Sequence, residues 1–225
     1  QMSAYEILSG LVGSEMCIRD RYMRNGMDFH MLQNNVQRLL QETDNTTITF
    51  INTFNLLSLT SLREYLQWIL ELRDQYAKDV QGTKYIPIPD NGDHKHPDYE
   101  VKPKQRIWFD IPLLRAPLWQ CIQIMPDYYQ SYLEEAIAFM ELNRADEVNI
   151  DYRGFKDFEI DKVRRNLEWM KAGSIMDKEE LLKARANFFK FFSQHDERRK
   201  TNFLQVFPEM EDWWNICKEA EALII

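Results

Sequence analysis

The chain has 225 residues, which fits one large domain or a domain with an appendage, and 44% of them are hydrophobic, as in folded proteins rather than disordered ones. A formal net charge of −8 argues against a general nucleic-acid binder or an anionic-membrane binder, because both classes rely on many Lys and Arg contacts. The sequence has no apolar stretch near the roughly 20 residues that span a bilayer. Its three cysteines are too far apart for a disulfide framework or a C-x2-C metal site, so we expect a cytoplasmic protein with reduced thiols.

Helical and strand-like patterns alternate in the first half of the chain. Apolar residues at helical spacing predict a helix over residues 27–41 and a clearer one over "SLREYLQWILELRDQY", residues 61–76. Between them, "TTITFINTFN", residues 46–55, predicts a strand with one apolar face and one largely polar face. The stretch 78–104 is rich in Pro, Gly, Asp and His and has no sustained period, which predicts a long loop.

A second strand pattern opens the next part of the chain, and helical patterns fill the remainder. In "RIWFDIPLLR", residues 106–115, the side chains of Ile107, Phe109 and Ile111 share one side. The run "CIQIM", residues 121–125, predicts a further short strand. Helices are predicted from Pro126, over residues 157–171, from Asp177 and from Pro208.

The order of these elements predicts an α/β fold in which helices cover the strands, followed by an all-helical segment. A sheet of two or three strands with its crossover helices leaves an open edge and an unfilled face. We therefore expect the chain to be the C-terminal end of a larger α/β protein.

Four runs of sequence carry a resemblance to a known family. They are "YMRNGMDFHMLQNNVQRLL", "TITFINTFNLLSLTSLREYLQWILELR", "QRIWFDIPLLRAPLWQCIQIMP" and "FFSQHDERRKTNFLQVFPEMEDWW". In their residue patterns and their order along the chain, these runs resemble the C-terminal half of radical S-adenosylmethionine (radical SAM) proteins, in the group with a partial barrel and a helical C-terminal extension. The resemblance implies the C-terminal (βα) units of a partial barrel over residues 22–145 and an all-helical extension over residues 146–225.

Radical SAM proteins hold a [4Fe-4S] cluster through a C-x3-C-x2-C motif. The cluster binds S-adenosylmethionine. One-electron reduction then cleaves this cofactor to give a carbon radical, which abstracts hydrogen from a substrate. No three cysteines of this chain have that spacing. The resemblance therefore implies a C-terminal fragment that contributes S-adenosylmethionine and substrate contacts, while a missing N-terminal half holds the cluster. We expect the chain alone to retain neither cofactor, and the sequence does not specify whether the substrate is a small molecule or a peptide.

Candidate site residues follow from the resemblance, because parallel α/β barrels bind ligands at the C-terminal ends of their strands. The candidate cofactor contacts are Thr53, Asn55 and Asp110, and the candidate substrate contacts are Arg115 and Gln123. Asn55 is equally suited to a turn or a helix entry. Asp110 is suited to accept backbone hydrogen bonds in a bend, and Arg115 is as well suited to a structural ion pair as to binding a carboxylate.

Two histidine-containing segments suggest other chemistry. In "DHKHPD", residues 93–98, His94 and His96 resemble a pair of metal ligands, but no third ligand is apparent nearby, so an exposed loop is favoured. His195 beside Asp196 has the order of a general base and its orienting carboxylate. A helix end with a solvated cap or an ion pair is the commoner setting for such a pair.

A non-catalytic α/β-helical module that docks a protein partner is the alternative function. Its support is the aromatic content of the final helices, in which "FFKFF", residues 188–192, covers more than one helical face. Core packing explains part of this content.

The opening segment, residues 1–21, contains "LVGSEMCIRDR" and resembles a translated adapter read-through of the kind found at the ends of assembled environmental reads. We therefore expect it to be non-native and exclude it from fold reasoning. Cys17 lies within this segment, so it is not expected to act as a ligand or a nucleophile.

Overall fold

The computed structural model describes residues 19, 21–24, 26–43, 46–76, 106–145 and 153–224. The predicted loop at 78–104, with the His94 and His96 pair, lies outside the described residues, as does Cys17. In chain order the elements are α1 (Phe29–Glu42), β1 (Ile48–Ile51), α2 (Leu62–Tyr76), β2 (Ile107–Asp110), α3 (Gln130–Leu142), α4 (Asp157–Lys171), α5 (Lys178–Arg199), α6 (Phe203–Val206) and α7 (Glu211–Ile224). Short 3-10 turns connect several of them.

The prediction of a partial (βα) barrel is wrong for the described residues, which are mostly helical and form one open sheet of two parallel strands. The strand expected over residues 121–125 is replaced by a 3-10 turn at Ile122–Ile124. Pro117 and Pro126 flank this run, and Met125 N donates to the Ile122 carbonyl at 3.2 Å as in a tight turn. A short apolar run has the same burial in a turn as in a strand, so its hydrophobicity did not distinguish the two.

The two strands have the faces that their alternation predicts. Residues Ile48 to Ile51 pair in register with Ile107 to Asp110, and an isolated bridge joins Phe54 to Leu113. In the second strand and the residue that follows it, the side chains of Ile107, Phe109 and Ile111 are at most 3% exposed. On β1 the odd-numbered residues point to solvent, and Ile51 is 67% exposed.

The outer edge of β2 is covered by side-chain donors from two helices. Arg73 Nε on α2 donates to the Ile107 carbonyl at 3.1 Å, and Asn166 Nδ2 on α4 donates to the Ile111 carbonyl at 3.2 Å. Both side chains are at most 1% exposed. These contacts occupy carbonyl groups that a third strand on this side would need, so the sheet ends at β2.

The outer edge of β1 has no such cover among the described residues. Its amides at Ile48, Asn52 and Phe54 donate towards β2. The backbone groups of the intervening residues face the opposite edge, where the described part of the chain supplies no partner. Within the described residues, the sheet is therefore covered along β2 and uncovered along β1.

A buried ion pair joins α2, β2 and α4. Arg73 NH2 and NH1 donate to the two carboxylate oxygens of Glu159 at 2.6 and 3.1 Å, and both side chains are fully buried. Arg73 NH1 also donates to the Gly154 carbonyl at 3.1 Å, and Glu159 Oε2 accepts from Lys156 N at 3.0 Å. The hydrogen bonds on both partners offset part of the cost of removing the two charges from water.

The helices that follow residue 153 begin and pack as the sequence predicts. The Asp177 carboxylate accepts from the amides of Glu179 and Glu180 and caps α5. Helix α5 packs along α7, and Phe188, Trp213 and Cys217 are completely buried between these elements.

The described residues of the opening segment contact the folded chain. Arg19 donates to the Thr60 hydroxyl at 3.3 Å and to Glu209 Oε1 at 2.9 Å, and the Arg21 carbonyl accepts from Arg199 NH2. The non-native origin of residues 1–21 stays a prediction. None of the helices that the structure describes has the length and hydrophobicity to cross a membrane.

Candidate functional site

Two clefts lie beyond the carboxyl ends of the paired strands. We call them the β1 cleft and the β2 cleft, after the strand end that each one borders. Ile111, the residue after β2, lines both of them. This edge of a parallel sheet is where α/β proteins bind ligands, because loops and polar groups converge there.

The β1 cleft has a volume of about 280 Å³. The polar residues that line it come from the segment after β1, the start of α2 and the opening segment: Arg19, Arg24, Asn52, Thr53, Asn55, Ser58, Ser61 and Tyr65. Apolar walls are contributed by Met23, Ile51, Phe54, Leu57, Leu62, Ile111 and Phe207. The mixture of a few polar groups with apolar walls is typical of small-molecule sites.

Thr53 and Asn55, the two predicted cofactor contacts in this part of the chain, both line the β1 cleft. Thr53 is exposed. Asn55 instead caps the 3-10 turn Leu56–Ser58, since its Oδ1 accepts from Leu57 N at 2.9 Å and from Ser58 N at 3.2 Å. The structural alternative for Asn55 is therefore confirmed, and its amide nitrogen is the group left to face a ligand.

Tyr65 supplies a polar group in the β1 cleft that the sequence analysis did not select. Its side chain is 9% exposed, and its hydroxyl has no hydrogen-bond partner among the described residues, although Asn52 lies close by. Burial raises the pKa of Tyr65 well above its usual value, so the hydroxyl stays protonated and keeps its capacity both to donate and to accept. The Tyr65 hydroxyl and the nearby Asn52 side chain are therefore polar groups of the β1 cleft wall.

The β2 cleft has a volume of about 440 Å³ and lies between the segment after β2 and helix α4. Asp110 and Arg115 both line it. Asp110 Oδ1 accepts from Ile111 N at 3.0 Å and pairs with Lys162 Nζ at 2.9 Å. Asp110 thus accepts a backbone hydrogen bond, as its structural alternative predicts, at the end of β2 rather than in a bend, and it also pairs with a lysine that was not among the candidate residues.

The other side of the β2 cleft is one stripe of helix α4. Lys162, Arg165, Asn166 and Trp169 follow each other at helical spacing, and the first three line the cleft. The Arg115 guanidinium lies 5.9 Å from the centre of the Trp169 ring. Arg115 therefore has a cation–π contact rather than the ion pair that was its structural alternative.

Gln123 lines neither cleft. Its backbone carbonyl lies against Gly173, where an added Cβ would be 2.2 Å from the Gln123 oxygen. The glycine thus permits a close approach of two backbone segments, and the predicted role of Gln123 in substrate binding gains no support from this position.

His195 and Asp196 lie apart from both clefts. His195 Nδ1 is 3.8 Å from Asp196 Oδ1, too far for a hydrogen bond. The histidine ring lies 4.5 Å from the Tyr22 ring, and its Nε2 is 3.0 Å from Arg199 NH1. Burial and the Arg199 cation lower the pKa of His195, which favours a neutral packing residue.

Metal ligands do not cluster in the described part of the chain. Among those residues, no three His, Cys, Asp or Glu side chains come close enough together to hold an ion. Cys121 and Cys217 are buried as free thiols. Comparison with protein-family models, with curated proteins and with solved structures finds no match to this chain.

Proposed function

We propose that the chain is the C-terminal part of a radical SAM enzyme, and that it contributes contacts to S-adenosylmethionine and substrate at the carboxyl edge of its sheet. The proposal joins the sequence resemblance to one structural observation, the asymmetry of the sheet. The Arg73 and Asn166 side chains cover the β2 edge, whereas the described chain leaves the β1 edge uncovered. A preceding strand of the parent protein would pair with β1, so the missing N-terminal half is the proposed partner.

The β1 cleft suits part of S-adenosylmethionine. The cofactor carries ribose hydroxyls, an adenine, and an amino acid end with a carboxylate, all of which need hydrogen-bond partners. Thr53 and the unpartnered Tyr65 hydroxyl offer such partners, and Arg24 offers a cation. A volume of about 280 Å³ is at the lower end for small-molecule sites, so we place only part of the cofactor here, with the remainder towards the open β1 edge.

The residues of this chain do not fit the [4Fe-4S] cluster. The three cysteines lack the required spacing, and burial raises the pKa of the Cys121 and Cys217 thiols, which disfavours the thiolate form that ligates iron. The cluster, which supplies the electron for cofactor cleavage, therefore belongs to the proposed N-terminal half. A cytoplasmic location, where such clusters and free thiols are kept reduced, is part of the same proposal.

The test is made on the full-length parent protein, purified without oxygen. We expect a reducible iron–sulfur chromophore and cleavage of S-adenosylmethionine. Tyr65→Phe should weaken cofactor binding by about threefold to tenfold, the loss of one neutral hydrogen bond, and should change the unfolding temperature little because the hydroxyl forms no well-aligned hydrogen bond with the described residues.

Tyr76→Phe is the matched control on the same helix. The Tyr76 hydroxyl accepts from Gln41 Nε2 at 3.1 Å, at the end of α2 opposite to Tyr65. This variant should bind the cofactor normally. A parent protein that contains no cluster would contradict the proposal. The interaction-module alternative is weakened by the burial of Phe188, Phe192 and Trp213 in the core of this chain, where they are not available to a partner.

A further inference from the structure

We infer that the β2 cleft is an anion-binding site that takes the carboxylate or phosphate group of a small molecule. This site deepens the proposed function by naming a chemical group that the substrate would carry. Only the statement that the bound ligand is the substrate rests on the proposed function. Anion binding itself follows from the charges that line the cleft, and it can be tested on this chain alone.

The charges in the cleft are opposite in sign to those of the whole chain. The chain carries 36 acidic residues and 28 basic ones, so carboxylates are plentiful as partners for arginine. In the β2 cleft, however, three cations meet one carboxylate: Arg115, Lys162 and Arg165 against Asp110. Since Lys162 pairs with Asp110 at 2.9 Å, the two arginines supply the positive excess.

Neither arginine is engaged by a carboxylate among the described residues. Arg115 lies over the Trp169 ring, a contact that leaves its guanidinium edge free to donate. Arg165 donates from Nε to the Asp161 carbonyl at 3.3 Å, which leaves its terminal nitrogens. Both side chains are exposed and face the same cleft, as needed for two guanidinium groups to bind one oxyanion.

The adjacent residue Arg164 shows how an arginine on this helix is used structurally. Its terminal nitrogens contact Asp161 Oδ1 at 2.8 Å and Glu141 Oε1 at 2.5 Å. Arg164 therefore forms two ion pairs on the side of α4 that faces α3, and it does not line the β2 cleft. The contrast between two successive arginines supports different roles for them.

The wall of the cleft is held in place independently of any ligand. Asn166 Nδ2 donates to the Ile111 carbonyl at 3.2 Å and to the Lys162 carbonyl at 3.0 Å, which ties the segment after β2 to helix α4. Its Oδ1 is buried and accepts no hydrogen bond from the described residues. The backbone that carries Arg165 is thus joined to the segment after β2 by hydrogen bonds within the protein.

The experiment is a titration of the full 225-residue chain with sodium phosphate and with sodium acetate, each against sodium chloride at equal ionic strength, followed by calorimetry and by NMR shifts of the arginine Nε–H groups. We expect saturable binding of at least one oxyanion, and the tighter of the two identifies the group. Arg115→Gln and Arg165→Gln should each weaken binding by about tenfold, the loss expected for one charge-assisted hydrogen bond. Arg164→Gln should leave binding unchanged.

Three results would overturn the inference. They are a response to both oxyanions no larger than the response to chloride, an equal loss in Arg164→Gln and Arg165→Gln, and oxyanion shifts confined to arginines outside the cleft. Far-UV circular dichroism checks that each variant is folded, and the wild-type NMR shifts locate the bound anion even if a variant does not fold. Cofactor cleavage by the parent protein is a separate measurement, so failure here and failure of the proposed function are distinguishable.

Discussion

Replacing Arg73 by methionine tests whether the buried ion pair holds the sheet to the helices. Methionine keeps an apolar side chain of similar length but removes the bonds to Glu159, to the Ile107 carbonyl and to the Gly154 carbonyl. Glu159 then remains fully buried, and among the described residues its carboxylate keeps the Lys156 amide as a hydrogen-bond donor.

The expected loss is about 3–5 kcal/mol of unfolding free energy, the range found when one partner of a buried ion pair is removed. For a chain of this size each kcal/mol lowers the unfolding temperature by about 2–4 °C, so the fall should be roughly 6–20 °C. Thermal and urea unfolding followed by far-UV circular dichroism measure both quantities.

Two companion variants make the result specific. Arg164→Met removes an arginine whose ion pairs are exposed, and its unfolding temperature should hardly change. The double variant Arg73→Met with Glu159→Leu should recover part of the loss, because no buried carboxylate is left unpaired. The stabilising role of the pair would be refuted if Arg73→Met were no less stable than Arg164→Met. It would also be refuted if the double variant were no more stable than Arg73→Met alone.

Three further predictions test other parts of the fold. Gly173→Ala places a Cβ 2.2 Å from the Gln123 carbonyl oxygen and should cost about 1–3 kcal/mol of stability in the same unfolding assay; an unchanged midpoint would mean that the two segments do not approach closely. Burial and the Arg199 cation lower the pKa of His195, so its protonation favours the unfolded chain, and stability should fall as the pH drops through about 6.5. His195→Gln should lose less stability over this pH range, and equal pH profiles would show that the ring is not desolvated. Cys217 is completely buried and its thiol pKa is raised, so a thiol reagent should label it only after unfolding, whereas rapid labelling located at Cys217 in the native chain by peptide mapping would contradict its place in the core.

The secondary structure was predictable from the sequence wherever a hydrophobic period ran for several turns. Helix α4 has the predicted bounds, Asp157–Lys171, and α5 begins at its predicted cap, Asp177. The two strands were found because their alternation places residues such as Phe109 inside and Thr49 outside. The expected barrel is contradicted by a mostly helical chain with a sheet of two parallel strands in its described part. The expected third strand is absent because residues 121–125 form a buried turn between prolines, which shares its hydrophobicity with a strand.

The candidate site was predictable only where polarity marked a strand end. Thr53 and Asp110 follow that pattern, and each lines a cleft. Tyr65 was missed because an aromatic residue on an apolar helix stripe is typical of a core position. Arg165 was missed because a charged stripe is typical of a solvated face, and only the packing of α4 against the segment after β2 distinguishes it from Arg164.

The central claim, that this chain completes a radical SAM enzyme, is tested most directly by sequencing the genomic region upstream of the codon for Tyr22, the first residue after the segment predicted to be non-native. The open β1 edge and the sequence resemblance predict that the upstream sequence continues in frame and encodes a C-x3-C-x2-C motif. An in-frame stop codon upstream without any such cysteine motif would contradict the claim.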